Sequence, residues 1–301
     1  MRVVVLTGGT GGAKLAAGFQ SMLPPGDLTV IANTADDDEF WGLLVCPDVD
    51  ATIYRLAGVF DEAAGYGQKG DTFATLEALG RLGEPTWFRI GDRDLATHLL
   101  RAEMLNSGRR LTETALELCR RFGLPTRVLP VTDDKIRTRF MTAVGRLSFQ
   151  EYFVRERLAP KLHSIEITGA AEAEAAPEAV AAIVDADLVV IGPSNPLISI
   201  APILEVIGPR LRSERTIAVT PIVGGRALKG PTVEMLRALG SDASPVDVAR
   251  KYQSVAGSFV LDSRDAGAAA EIEALAYRVI VCDTVMADGG AALARAMLEA
   301  F

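Results

Sequence analysis

The sequence has few of the residues that build disulfide, zinc or histidine-based catalytic sites. Its 301 residues include three cysteines and two histidines. Cys46, Cys119 and Cys282 are scattered without C-x-x-C spacing, so we expect no disulfide framework and a reducing, cytoplasmic location. His98 and His163 are too few to favour a zinc site or a histidine-activated nucleophile. His98 lies in an amphipathic helical pattern, and we expect it at a helix surface or boundary.

Basic residues and long apolar runs are also scarce. The chain has 31 Lys and Arg against 39 Asp and Glu, a net charge of −8, whereas non-specific binding to nucleic acid needs a basic surface. No apolar run approaches the roughly 18 residues of a membrane span, and no signal peptide is recognisable at the start. We therefore expect neither nucleic acid nor a membrane among its partners.

Apolar, β-branched runs alternate with helical patterns, which predicts an α/β fold: a Rossmann-like, doubly wound, mainly parallel sheet. The predicted strands cover 2–6, 28–32, 127–131, 188–191, 216–219 and 278–281. Helical patterns lie at 14–19, 50–56, 72–82, 94–107, 112–122 and 201–207, with a β-hairpin at 139–149 and an exposed helix at 170–182. We expect a nucleotide-binding domain from 1–50 and 125–301, covered by a mostly helical insertion at 51–124.

The first strand runs into a glycine cluster, Gly8-Gly9-Thr10-Gly11-Gly12-Ala13-Lys14. Such clusters mark a tight turn or a place where a ligand touches the backbone, and the following helix offers free N–H groups to an anion. The Walker loop does not fit, because Lys14 lacks the preceding glycine and the following hydroxyl residue. The dinucleotide fingerprint does not fit either, because Lys14 occupies the position of its third glycine. Another kind of phosphate-binding loop, with Lys14 as counter-charge, and a tight turn without a ligand both remain open.

Acidic residues follow the second strand in the run Asn33-Thr34-Ala35-Asp36-Asp37-Asp38-Glu39, with Asp48 and Asp50 shortly after. Carboxylates beside a phosphate site suit Mg²⁺, which takes one or two from the protein and its remaining ligands from phosphate and water. Asp48 or Asp50 is equally acceptable as a helix N-cap. The acidic run therefore predicts a metal site without deciding which carboxylates form it.

Two further loops carry candidate binding residues. Arg89, Asp92 and Arg93 alternate in charge and could hold a substrate phosphate or carboxylate, although Asp94 is also a good N-cap. Ser194 and Asn195, in a proline-flanked loop after a predicted strand, could contact a nucleotide base or ribose, or form only a turn and cap. Because several strand ends carry such loops, a polyphosphate ligand with a divalent cation is the expected partner.

Together these motifs resemble the CofD family, the 2-phospho-L-lactate transferases of coenzyme F-420 biosynthesis, called FbiA in actinobacteria. The matching runs are Gly8-Gly9-Thr10-Gly11-Gly12-Ala13-Lys14-Leu15, Asn33-Thr34-Ala35-Asp36-Asp37, Pro47-Asp48-Val49-Asp50-Ala51, Gly91-Asp92-Arg93-Asp94-Leu95-Ala96-Thr97-His98, Thr132-Asp133-Asp134, Gly192-Pro193-Ser194-Asn195-Pro196 and Pro221-Ile222-Val223-Gly224-Gly225. They occur in family order over most of the chain.

The resemblance implies a magnesium-dependent transfer of a phosphorylated three-carbon acid from a GDP-activated donor to the ribityl hydroxyl of the deazaflavin Fo, releasing GMP. The acid could be the lactyl, enolpyruvyl or glyceryl form. The resemblance also implies four sets of site residues. These sets are Asp50 and Asp37 for catalysis; Asp50, Arg89, Asp92 and Arg93 for Fo; Asp36, Asp37 and Asp50 for the metal; and Gly8, Gly9, Thr10, Gly11, Gly12, Lys14, Ser194 and Asn195 for the nucleotide.

Some alternatives remain open. Which of Asp36, Asp37 and Asp38 faces the metal is not decided, and a homodimer is compatible with the resemblance. The competing function is a nucleotide-sugar-binding regulatory protein of the same fold, which the run Gly91–His98 argues against. A nicotinamide oxidoreductase is disfavoured because the dinucleotide fingerprint does not fit.

Overall fold

The computed structural model of the protein describes residues 1–228 and 230–301. In chain order the strands are β1 (Val3–Thr7), β2 (Leu28–Ala32), β3 (Asp38–Phe40), β4 (Leu43–Val45), β5 (Arg127–Pro130), β6 (Arg137–Thr142), β7 (Gly145–Ser148), β8 (Leu162–Thr168), β9 (Leu188–Ile191), β10 (Thr216–Val219), β11 (Ile222–Val223), β12 (Arg226–Ala227), β13 (Ser258–Asp262) and β14 (Arg278–Cys282). The helices are α1 (Gly9–Gln20), α2 (Pro47–Leu56), α3 (Ala74–Arg81), α4 (Asp92–Asn106), α5 (Leu111–Arg121), α6 (Pro177–Asp185), α7 (Ala201–Ile207), α8 (Thr232–Ala238), α9 (Pro245–Tyr252), α10 (Ala269–Glu273) and α11 (Ala291–Ala300).

The main sheet has seven strands in the order β14-β13-β10-β9-β1-β2-β5, with every pairing parallel. From β1 the chain builds outward through β2 and β5, then returns to place β9 on the other side of β1. The strand order therefore reverses between β1 and β9, which is where open α/β sheets form a ligand crevice at the strands' carboxyl ends. The predicted doubly wound α/β fold is confirmed.

Both faces of the sheet are covered, because alternate residues of each buried strand point to opposite sides. Val4 and Leu6 pack into a core with α6, α7 and α9. Val3 and Val5 pack into a second core with α1, α2, α5 and α11. Strands that are buried on both faces need apolar residues at successive positions, and the continuous apolar runs of the sequence supply them.

One local prediction is wrong, and strands β8 and β13 were not predicted. β13 lies inside the sheet. It was not predicted, because its apolar run, Phe259-Val260-Leu261, is only three residues long. The predicted hairpin exists as β6 and β7, and β8 adds a third strand. The helix expected at 170–182 is α6 at Pro177–Asp185, and it is not an exposed helix, because Ala179, Ala182 and Ile183 are buried in the core.

The segment from 51 to 124 contributes helices with different neighbours. α2 packs beside α1, and α5 packs beside β5, so both belong to the helical layer of the main sheet. α3 contacts α4, and α4 in turn contacts β4 and α5. The expected covering role of this segment stays a prediction. In the described ranges no helix is long and apolar enough to cross a bilayer.

Candidate active site

The glycine cluster lies at the crevice, but most of it belongs to a helix. α1 begins at Gly9, directly after β1, with Gly8 in extended conformation as its N-cap. Gly8 N–H donates to Ser194 Oγ at 3.3 Å, and Gly9 N–H donates to Asp48 Oδ1 at 2.5 Å. Within residues 1–228 and 230–301, the backbone N–H groups of Thr10 and Gly11 have no hydrogen-bond acceptor. This first turn therefore presents free donors at the positive end of the helix dipole.

Close packing explains several of these glycines without a ligand. A Cβ on Gly11 would overlap the carbonyl oxygen of Pro193, and one on Gly12 would overlap the Thr7 hydroxyl and lie 2.8 Å from Ser194 Oγ. Gly9 instead has a φ of +71°, which disfavours any side chain. The cluster thus lets the first turn of α1 approach the 192–195 loop, and the amides of this turn remain available.

Asp48 joins three segments at the strand ends. Its Oδ1 accepts the Gly9 N–H, and its Oδ2 accepts a hydrogen bond from Asn33 Nδ2 at 2.9 Å. Asn33, which directly follows β2, also donates to the Ile198 carbonyl oxygen at 3.3 Å. Neither Asp48 nor Asp50 is an N-cap, because α2 begins at Pro47 and Cys46 holds that position. The cap interpretation of these two residues is therefore wrong.

The acidic run folds inward. Asp36 and Asp37 are 4% and 3% exposed. Burial, together with the nearby charge of Asp48, raises the pKa of Asp36 well above its usual range. Burial raises the pKa of Asp37 to about 8, opposed by Arg137. Burial also raises the pKa of Asp48 to about 6. Burial of these carboxyls disfavours their charged form, and a bound cation would offset that cost.

The donor chemistry of this pocket fits a hard cation. Asp36 Oδ1, Asp37 Oδ1 and Asp50 Oδ2 are buried oxygens that lack a hydrogen-bond partner in the described part of the chain. Over those same residues, no three His, Cys, Asp or Glu side chains are close enough together to form a complete protein-only site. Mg²⁺ does not need one, because it is commonly held by one or two carboxylates plus phosphate and water. Asp36 and Asp37 fit best, since Asp50 already has a cationic partner.

That partner is Arg101, which sequence reasoning missed. Arg101 Nη2 donates to Asp50 Oδ1, and Arg101 Nη1 lies 3.0 Å from His98 Nδ1. His98 is 1% exposed, so its expected place at a helix surface is wrong. Asp94 does not cap α4, because Gly91 is the N-cap of that helix. Asp94 Oδ1 instead accepts a hydrogen bond from the Tyr54 hydroxyl at 2.7 Å.

Arg89, Asp92 and Arg93 lie near the start of α4 but have different surroundings. Arg89 is exposed, and its guanidinium lies 4.3 Å from the ring centre of Phe73. Asp92 accepts hydrogen bonds from the backbone N–H groups of Ala74 and Thr75 at 2.9 Å and thereby caps α3. Arg93 Nη1 donates to the Lys69 carbonyl oxygen at 2.6 Å. The Arg89 side chain, by contrast, makes no hydrogen bond or ion pair with the described residues.

An aromatic cluster that sequence reasoning also missed lies beside Arg89 in the chain. The rings of Phe40 and Phe88 are stacked, with centres 3.8 Å apart, and Trp87 packs edge-on against Phe40 at 5.6 Å. A groove of about 410 Å³ is lined in part by Asp38, Phe40 and Trp87. The adjacent pair Trp87-Phe88, in a chain with only 6% aromatic residues, was the available signal.

The remaining predicted nucleotide-binding residues lie at or near the crevice. Ser194 is buried against the first turn of α1. Asn195 Oδ1 accepts the Leu197 N–H at 2.9 Å, so part of its polar capacity is used locally. Lys14 lies on α1, and its charge adds to backbone hydrogen bonds from Ala292 and Gly290 in lowering the pKa of Asp288. The structure brings Gly8–Gly12, Asp36, Asp48 and Ser194 together at the crevice.

Sequence comparison adds an independent finding. A sequence profile described as "2-phospho-L-lactate transferase CofD" matches residues 3–288. The chain belongs to the CofD family. The predicted family membership is thereby confirmed.

Relatives within this family resemble the chain over almost its full length. It is 36% identical to a 2-phospho-L-lactate transferase of Methanosarcina barkeri, over 94% of this chain and 93% of that protein. It is 39% identical to a phosphoenolpyruvate transferase of Streptomyces griseus, over 99% and 98%. A crystal structure of a UPF0052 family protein from Bacillus halodurans shares the fold, with a TM-score of 0.61, 17% identity and coverage of 99% and 98%.

Proposed function

We propose that the protein is a transferase of coenzyme F-420 biosynthesis that moves a phosphorylated three-carbon acid from a GDP-activated donor to the ribityl hydroxyl of Fo. The hydroxyl oxygen forms a new bond to the phosphorus that carries the acid, the pyrophosphate bond breaks, and GMP leaves. The names of the relatives support a transferase of this type. The observation that carries the proposal is the placement of free helix amides beside buried carboxylates at the ends of β1 and β2.

The first turn of α1 suits the diphosphate of the donor. The backbone N–H groups of Thr10 and Gly11 lack partners in the described residues, and they lie at the positive end of a 12-residue helix. These groups would bind phosphate oxygens and stabilise the charge that develops on departing GMP. Ser194, which contacts the same turn, would contribute to nucleotide binding from the neighbouring loop.

Asp36 and Asp37 are the residues that would hold Mg²⁺. Each has a buried carboxylate oxygen without a partner among the described residues, and each has a raised pKa that a cation would lower. When bound, Mg²⁺ supplies neutralisation of phosphate charge during the transfer. The proximity of Asp36 to Asp48, which bonds to Gly9, is consistent with a cation next to the diphosphate.

The acceptor would lie toward Asp50 and the aromatic groove. Fo is a flat heteroaromatic molecule, and stacked rings such as Phe40 and Phe88 form an apolar surface for such a ligand. Arg89, with free donors, would hold a polar edge of Fo. Asp50, with its unpartnered Oδ2, would align the ribityl hydroxyl and accept its proton. The role of Asp37 in catalysis is then to help hold the cation.

The experiment is product analysis by mass spectrometry. The protein is incubated with Fo, MgCl₂ and, in separate reactions, the lactyl, enolpyruvyl and phosphoglyceryl derivatives of GDP. We expect one donor to give Fo enlarged by the phospho-acid, with an equal amount of GMP. Asp37→Asn should lose most of this activity, whereas Asp185→Asn, at an exposed ion pair with Arg2, should retain it. No product with any donor, together with binding of a UDP-sugar, would favour the regulatory alternative.

A further inference from the structure

A buried seam of polar side chains joins α2 and α4. Asp94, His98 and Arg101 follow one another at intervals of four and three residues, which places them on one face of α4. Asp50 and Tyr54 are spaced by four on α2. Arg101, His98 and Tyr54 are each 1% exposed. Such a face would normally be apolar, so this seam needs an explanation beyond helix packing.

The contacts of the seam lead to Asp50. Tyr54 donates to Asp94 Oδ1 at 2.7 Å, and His98 Nε2 lies 3.4 Å from the same oxygen. His98 Nδ1 lies 3.0 Å from Arg101 Nη1. Arg101 Nη2 donates to Asp50 Oδ1, and Arg101 Nη1 also donates to the Leu44 carbonyl oxygen at 3.2 Å.

The arginine determines the tautomer of the histidine. A guanidinium only donates hydrogen bonds and is always charged in proteins. His98 Nδ1 must therefore carry a lone pair, and the proton of the neutral ring lies on Nε2, which faces Asp94. His98 thus holds Nη1 of the Arg101 guanidinium, while Nη2 of the same group holds Oδ1 of Asp50. The other oxygen, Asp50 Oδ2, lies 3.7 Å from His98 Nδ1 and has no hydrogen-bond partner in the described part of the chain.

We propose that Arg101 and His98 are positioning residues that hold the Asp50 carboxylate in one orientation, with Oδ2 free for the acceptor hydroxyl. This inference rests on the proposed function. Buried ion networks are often no more stabilising than apolar residues of similar volume, so stability alone does not account for the seam. A planar guanidinium held at both terminal nitrogens restricts rotation of the carboxylate bound to it. A catalytic carboxylate needs such a fixed orientation.

Two substitutions of His98 separate positioning from packing. His98→Asn introduces a side-chain oxygen that can accept a hydrogen bond from Arg101, although the asparagine side chain is smaller than that of histidine. His98→Leu fills the cavity better and has no acceptor. Since a misplacement of about 1 Å can cost roughly 100-fold in rate, we expect kcat to fall about 30-fold or more in His98→Leu and less than about fivefold in His98→Asn. KM for the GDP-linked donor should change little in both.

Arg101 provides the second pair of variants. Arg101→Gln should reduce kcat by about 100-fold, and Arg101→Lys should restore part of the loss, because an ammonium keeps the charge but not the fork. His163→Asn, at the exposed second histidine, is the matched control and should behave as wild type. Thermal unfolding of each variant shows that comparisons are made between folded proteins.

A spectroscopic measurement tests the seam without activity. Because the chain has two histidines, a ¹⁵N-histidine-labelled sample gives two ring systems, which His163→Asn assigns. We expect His98 to be neutral with the proton on Nε2. A proton on Nδ1, or a His98→Leu variant at least as active as His98→Asn, overturns the positioning proposal while leaving the transferase intact. A wild-type protein that forms no product from Fo overturns the transferase, and the positioning proposal with it.

Discussion

Asn33 Nδ2 donates to Asp48 Oδ2 at 2.9 Å, and this hydrogen bond ties the end of β2 to the first turn of α2. The second oxygen of Asp48 accepts the Gly9 N–H. One buried carboxylate therefore sets the spacing between the amides of α1 and the acidic loop after β2. These two segments carry opposite halves of the proposed site, so we expect Asp48 to affect both stability and nucleotide binding.

Replacing Asp48 tests this linkage. Asp48→Ala leaves the Gly9 N–H and the Asn33 amide without their acceptor, at a cost of about 1–3 kcal/mol for each buried group left unsatisfied. We expect a lower urea midpoint and a GDP affinity reduced by about tenfold or more. The measurements are urea unfolding and calorimetric titration with GDP. Asp185→Ala at the surface should change neither, and an unchanged GDP affinity in Asp48→Ala would show that the linkage is irrelevant to binding.

The pKa of Asp37 predicts a pH dependence of stability in the absence of metal. Burial raises this pKa from 3.8 to about 8. Between these two values the folded protein keeps a proton that the unfolded chain has released. The free energy of unfolding therefore falls as the pH rises from about 4 to about 8.

Asp37→Asn removes this contribution, so its pH dependence should be flatter, although Asp36 and Asp48 also have raised pKa values. At pH 8 in EDTA we expect its Tm to exceed that of the wild type by about 2–4 °C, the shift that roughly 1–2 kcal/mol produces in a chain of this size. MgCl₂ with GDP should then stabilise the wild type more than the variant. An equal or lower Tm for Asp37→Asn at pH 8 contradicts the buried-acid interpretation.

Substitution of Gly11 tests whether close packing of α1 against the 192–195 loop matters for GDP binding, and Gly267 provides the control. A Cβ on Gly11 would overlap the Pro193 carbonyl oxygen, whereas one on Gly267 has no heavy atom within 4 Å. Gly11→Ala should separate the first turn of α1 from the 192–195 loop and weaken GDP binding by about tenfold or more, equivalent to about 1.4 kcal/mol. Gly267→Ala should bind GDP like the wild type. Equal GDP affinities for both variants would show that this approach does not matter.

Substitution of Arg89 or Trp87 should weaken binding of the acceptor Fo and leave binding of the donor unchanged. Arg89→Ala removes a group proposed to contact Fo, and Trp87→Ala removes part of the lining of the groove proposed to hold it. We expect KM for Fo to rise about tenfold in each, the effect of losing about 1.4 kcal/mol of binding, with KM for the donor unchanged. Steady-state kinetics with each substrate varied in turn checks this. Arg81→Ala, at the end of α3, is the control, and a rise confined to the donor's KM would place Fo elsewhere.

Much of the fold was predictable because its strands are continuous apolar runs. The predicted strand at 28–32 is β2 at Leu28–Ala32, and the one at 188–191 is β9 at Leu188–Ile191. β13 was missed because only Phe259, Val260 and Leu261 mark it. Local pattern gives a weak signal for so short a run, and β13 is defined by its pairing with β10 and β14.

The site was predictable only where its residues form runs. The acidic run after β2 and the glycines after β1 are local patterns, and topology brings them to one edge. The burial of His98 was not predictable from its helix, because it depends on Asp50, 48 residues earlier, and on how α2 and α4 meet. Likewise, the reason for Gly11 lies in Pro193, a contact that no local sequence pattern reveals.

The proposed function requires that the amides of the first turn of α1 and the carboxylates of Asp36 and Asp37 form one diphosphate site. A crystal structure of the protein with GDP and MgCl₂ tests it most directly. We expect the β-phosphate of GDP on the N–H groups of Thr10 and Gly11, with a cation against Asp36 or Asp37. GDP bound at another place, with those amides facing only solvent, would contradict it.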